Sequence, residues 1–148
     1  MAESAFRKIL EYQPDHFMAL HFLGVIAHQT GNLEAAASLI EKALSLEPDY
    51  AQAYNNIGIN QIKLQKYDQA LMSTTKGILL RPDLIEVHNG RFLSLIKLGR
   101  NADAIRYYCQ FSTLNEVYPK AFHNLGVALG QFQVDNFSKR TADNFLKL

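Results

Sequence analysis

The chain has 148 residues, 48% of them hydrophobic and 20% charged, with a formal net charge of +1, the composition of an ordinary globular domain. With charge so balanced and no run of five like charges, there is no electrostatic basis for binding nucleic acid or an anionic membrane surface. The longest apolar stretch, Phe17 to Ala27, is broken by His21 and too short to span a bilayer, the N-terminus lacks a signal-peptide pattern, and the lone Cys109 excludes an internal disulfide. These features place the expected location in the cytoplasm.

Residues 1–16 set Ala2, Phe6, Ile9 and Leu10 at spacings that put them on one helical face, closed by Pro14. One period later the same kinds of residue return as Ala36, Ile40, Ala43, Leu44 and Pro48. The first segment thus reads as the second helix (B) of a helix pair whose first helix (A) is absent. Its apolar face lacks cover, which points to a longer array or to a partner at this end.

From Leu20 onward the period is 34 residues. Leu20, Leu23-Gly24, Ala36, Ala43 and Pro48 are answered by Tyr54, Ile57-Gly58, Ala70, Gly77 and Pro82, and later by Phe122 and Leu125-Gly126. The spacing predicts A helices near 16–30, 50–64, 84–98 and 119–131, and B helices near 33–46, 67–80, 101–114 and 135–147. Pro14-Asp15, Pro48-Asp49 and Pro82-Asp83 precede the A helices, with the aspartates as expected N-caps. Gln52 and Glu86 complete capping boxes three residues after Asp49 and Asp83. Gly31-Asn32 and Gly99-Arg100-Asn101 mark the turns inside the pairs, with asparagine as the N-cap. Small residues belong where paired helices cross, so Gly24 is expected to face Ala36, and Gly58 to face Ala70.

The third repeat departs from the pattern. Arg91-Phe92 replaces Leu-Gly, His88 replaces a large apolar residue, and Glu116 stands where proline is due. A phenylalanine at a close crossing overpacks an ordinary repeat by about 1–3 kcal/mol unless neighbours make room. Gly77 is expected to supply that room, with an altered local helix angle. Arg91 must snorkel or find an acidic partner. In the fourth repeat Ser138 and Ala142 replace the small and large apolar positions, and Phe145-Leu146-Lys147-Leu148 leaves an apolar end.

A 34-residue period with a large residue, Leu-Gly, Ala and Pro at fixed offsets resembles the tetratricopeptide-repeat (TPR) family, and the resemblance covers nearly all of the chain. It implies an all-α fold, a right-handed solenoid of antiparallel helix pairs. The expected organisation is a single domain over 1–148: an orphan B helix at 1–16, repeats at 17–50 and 51–84, a degenerate repeat at 85–118 and a last repeat at 119–148, about nine helices in all.

No enzyme motif is present: neither a glycine-rich phosphate loop nor a Gly-x-Ser-x-Gly elbow. Cys109 stands on a B helix with no histidine tied to it by motif, and Tyr107-Tyr108 reads as packing. His21 and His28 are seven apart, two turns or about 10 Å along a helix, not the four-residue spacing of a shared metal. No metal, cofactor or catalytic residue is assigned, and the chain is read as non-catalytic.

In TPR proteins the A helices line the concave side of the superhelix, where an extended peptide or a partner's helix binds. The resemblance carries that groove onto His21, Asn55, Asn89 and His123, then Phe22, Asn56 and Asn124 with Gly90 between them, then Val25, Ile59, Leu93 and Val127, flanked by Lys63 and Lys97. Asparagine offers both donor and acceptor, so a ladder of them pairs with any peptide backbone. The family's clamp for C-terminal carboxylates is matched at Asn56 alone. His21, Val25, Glu86 and Gly90 hold the other places, and Glu86 repels a carboxylate.

Asn56 and Asn124 are more similar to the inner asparagine ladder of O-linked N-acetylglucosamine transferase-type proteins, with Phe22 and Gly90 interrupting it. The expected partner is a protein or peptide, with no nucleic acid and no membrane. The alternatives are a scaffold that self-associates through its uncapped terminal helices, and a substrate-recognition fragment of a larger glycosyltransferase- or sulfotransferase-type protein.

Overall fold

In a computed structural model, residues 2–114 are described, with side chains described as far as residue 110. All elements among them are helices: α1 (Ala2–Tyr12), α2 (Phe17–Gln29), α3 (Leu33–Leu46), α4 (Ala51–Lys63), α5 (Tyr67–Leu80), α6 (Ile85–Lys97) and α7 (Asn101–Leu114). Each falls within two residues of the span that the period predicts, apart from the C-terminal end of α1. The helices expected at 119–131 and 135–147, with His123, Asn124 and Val127, lie outside the described residues. The chain divides into two compact units, Met1–Ser94 and Leu95–Leu148, with the boundary inside α6.

In the first unit α2 packs on α3 and α4 on α5, while α1 lies on α2 and α3 on α4. The pairs cross closely because glycine stands at the crossing. A β-carbon at Gly24 would lie 2.5 Å from Ile40 Cγ1 and 3.2 Å from the Ala36 carbonyl, and one at Gly58 2.7 Å from Thr74 Cγ2. Between repeats, buried Ala37, Ile40, Ala53 and Ile57 form a core that Leu44, Tyr50 and Tyr54 extend. Helix α1 buries none of its residues.

Three A-to-B turns share one hydrogen-bond pattern. Asn32 N donates to Ala27 O and Gly31 N to His28 O; Lys66 and Gln65 donate to Gln61 and Ile62; Arg100 and Gly99 donate to Leu95 and Ile96. Each is a Schellman closure, which needs a left-handed residue just beyond the helix. Gly31 (φ 83°) and Gly99 (φ 72°) supply it, and Gln65 (φ 60°) adopts it without being glycine.

The capping expectations need correction. The proline–aspartate pairs sit one residue too early to cap. The N-cap of α2 is His16, whose Nδ1 accepts from Ala19 N at 3.2 Å, and that of α4 is Tyr50, which makes no side-chain cap bond. Asp83 instead accepts from Arg81 Nε and Nη2 at 2.8 and 2.7 Å, and these bonds hold its carboxyl at a pKa of about 2. The capping boxes with Gln52 and Glu86 therefore do not form. Asn32 does cap α3, accepting from Ala35 N at 3.4 Å, whereas Asn101 is already the first residue of α7.

The third repeat is also corrected. Gly77 makes room for Val87 and Tyr54, not Phe92: a β-carbon there would lie 2.6 Å from Val87 Cγ1 and 3.3 Å from Tyr54 Cβ. Phe92 is buried. Arg91 reaches a neutral partner, donating from Nη1 to Thr75 Oγ1. His88 donates from Nε2 to the Pro82 carbonyl at 2.8 Å.

Candidate functional site

Helices α2 and α4 are the A helices of consecutive repeats, and side chains reach between them. His21 of α2 is 1% exposed. Its Nε2 lies 2.7 Å from Asn56 Nδ2 and its Nδ1 3.2 Å from the Tyr50 hydroxyl, with the Tyr50 ring edge-on at 4.8 Å. Since an amide nitrogen only donates, Nε2 must accept, so the ring is neutral and carries its proton on Nδ1, which donates to Tyr50. Burial pushes the imidazole below its ordinary pKa and the Tyr50 phenol above its own. Asn55 Nδ2 donates to Asn56 Oδ1 at 3.4 Å. Asn55 itself is 3% exposed, with its Oδ1 buried and unpartnered.

His21 and Asn55, expected in the groove, thus lie beneath the surface, and His21 holds α2 against α4. Asn56 is half-buried and tied to His21, with one N–H and one lone pair of its amide left over. Phe22, Ile59 and Leu93 are exposed, Val25 and Asn89 half-buried, and Lys63 exposed. Phe22 also stacks on Phe6, ring centroids 5.2 Å apart, so it anchors α1 where the ladder would have an asparagine. Lys97, in the second unit, is exposed.

Val25, Asn56 and Ile59 meet around a depression of about 160 Å³ that is also lined by His28, Gln29 and Ile40. His28 and Gln29 were not expected there. Their signal was available, since Gln29 stands one period before Lys63 and His28 directly beside it. His28 is oriented by buried Asn60. The Asn60 amide nitrogen donates to Leu33 O at 2.8 Å, leaving Oδ1 to accept from His28 Nδ1 at 2.9 Å. His28 therefore carries a proton on Nδ1, which in the neutral ring leaves Nε2 as the acceptor.

A larger cleft of about 500 Å³ lies among α1, α2 and α3. Two of its charged residues are already paired, Arg7 to Glu3 at 2.7 Å, over a floor of Leu10, Leu23, Ile26 and Leu39. Among the described residues no group of three metal-ligating side chains occurs, and no helix is long and apolar enough to cross a membrane.

Tetratricopeptide-repeat family models match residues 2–54 and 51–84. The chain belongs to the tetratricopeptide-repeat family. No curated protein matches this TPR chain by sequence. Among solved structures, a mutant of the Thermobaculum terrenum O-GlcNAc transferase is 31% identical, with a TM-score of 0.61 over 63% of this chain and 18% of the transferase. This TPR chain thus spans less than a fifth of that enzyme. MamA matches at 20% identity and TM-score 0.77, over 98% of this chain and 81% of its own. YrrB, described as a TPR protein with an unusual peptide-binding site, matches at 22% and 0.71, over 87% and 66%. These last two likenesses are of fold alone. The architecture is an all-α TPR solenoid.

Proposed function

We propose that this TPR chain is a non-catalytic interaction module that holds an extended peptide or a partner's helix across the face of α2 and α4. TPR repeats are protein-interaction modules in general. The observation that carries the finer reading is the depression between Val25, Asn56 and Ile59, where apolar walls adjoin an amide with bonding capacity to spare. The test is selection from a random library of capped peptides on the whole chain. Ile59→Glu should abolish enrichment, whereas Met72→Glu, at an exposed site on α5, should leave it intact. Equal enrichment on both variants would defeat the reading.

The identity of 31% to the transferase favours a second reading, that the peptide held here is the substrate of a glycosyltransferase. Peptides selected on this chain should then become glycosylated by an enzyme joined to these repeats, and less so after Ile59→Glu. Equal modification would remove this reading and leave the first standing.

A further inference from the structure

The identity of the peptide is narrowed by two features of the same depression and a third beside it, an inference that rests on the peptide-binding reading above. At about 160 Å³ it is smaller than the roughly 300–1,000 Å³ of small-ligand pockets, a volume suited to one side chain. Val25, Ile40 and Ile59 make that side chain aliphatic. His28 lines the same space with its Nδ1 proton held by Asn60, so in the neutral ring Nε2 accepts and the ligand donates. A backbone N–H is free to do so in an extended segment, whereas the interior N–H groups of a helix are already bonded.

The third feature is charge. Helices α2 and α4 carry no carboxylate, and their one permanent charge is Lys63, a turn beyond Ile59 on the same side of α4. Lys63 is exposed and forms no ion pair among the described residues, while Glu34 of α3 lies 3.9 Å from Lys66. Glu86, whose repulsion disfavours a carboxylate, stands in the first turn of α6. Lys63 stands at the opposite end of the equivalent helix, about 16 Å further along.

We propose that the depression selects an extended peptide carrying an aliphatic side chain with an acidic side chain beside it. The aliphatic group fills the space between Val25 and Ile59. Its own backbone N–H donates to His28 Nε2, and the neighbouring carboxylate pairs with Lys63.

The test is a positional-scanning library of N-acetylated, C-amidated peptides bound to the whole chain. The expected result is Leu, Ile, Val or Met at one position, with Asp or Glu one or two places away. Lys63→Glu should keep the aliphatic preference and convert the acidic one to Lys or Arg. N-methylation at the aliphatic residue should weaken binding about three- to tenfold, the loss of one hydrogen bond. Enrichment without an acidic preference, or a preference that Lys63→Glu leaves unchanged, would overturn the inference while peptide binding itself stood. An unaffected N-methyl peptide, a helical i,i+4 pattern among the selected sequences, or a requirement for a free C-terminal carboxylate would overturn it as well. No enrichment of any peptide would overturn both this inference and the reading beneath it.

Discussion

Gly90 lies so close to Thr74 that a β-carbon on it would stand 2.8 Å from Thr74 Cγ2, and one on Gly58 would reach the same methyl at 2.7 Å. One threonine of α5 is thus wedged between glycines of α4 and α6. Its methyl cannot turn away, because Oγ1 donates to the Ala70 carbonyl at 2.8 Å. Gly90→Ala gains about 1 kcal/mol of helix propensity but overpacks this contact by about 1–3 kcal/mol. A net loss in urea unfolding is expected. In a Thr74→Ser background, where the methyl is gone, the same substitution should become neutral or stabilising. A double-mutant cycle with no coupling would contradict the wedge.

Stability should fall as pH drops below 6.5. Burial lowers the pKa of His21 and of His88 from that ordinary value; for His88, Arg91 adds to the effect and the bond to Pro82 opposes it. In the unfolded chain both rings protonate near 6.5, in the folded chain only at lower pH. Between those limits the unfolded state binds more protons, so stability is complete above 6.5 and is lost as pH falls. Urea midpoints measured on both sides of that value check the sign. His21→Gln should flatten the slope, and an unchanged slope would remove His21 as its source.

Gln65 occupies the left-handed position that Gly31 and Gly99 fill one period before and after. A side chain there costs roughly 1–2 kcal/mol. Gln65→Gly is therefore expected to raise stability by about 1 kcal/mol, whereas Gly31→Ala should lower it by a similar amount. Thermal or urea midpoints that move the other way would show that the Gln65 side chain makes compensating contacts.

Asn60 is fully buried and bonded on both sides, to Leu33 O and to His28 Nδ1. Asn60→Leu keeps the volume and strands those partners, so a loss of about 1–3 kcal/mol is expected. It should also release the His28 ring, which an NMR titration would register as a changed tautomer. A ring still protonated on Nδ1 alone would mean that Asn60 does not set it.

The helices were legible because their signals are local. Glycine at the A-to-B turns and small residues at the crossings act within one pair, and Gly24 meets Ala36 as the spacing implies, with Ile40 nearer still. The caps were misread because His16 and Tyr50 have weak cap propensity, while the aspartates that have it stand one residue too far out. Gln65 was missed because nothing in its side chain announces a positive φ.

By itself, and among the described residues, the amino-acid sequence determined the repeat, the spans of α2 to α7 and the pairing of helices, since each follows from the recurring period. Which polar residues face outward was decided by tertiary structure. Asn55 and Asn56 differ by one residue, a rotation of about 100° around α4. That step buries one beneath α6's Gly90 and leaves the other half-exposed between α2 and α4. His21 likewise turns inward because Tyr50 and Asn56, some thirty residues away, satisfy both its nitrogens. Such bonds depend on how two helices meet, and a pattern along one helix does not contain that geometry.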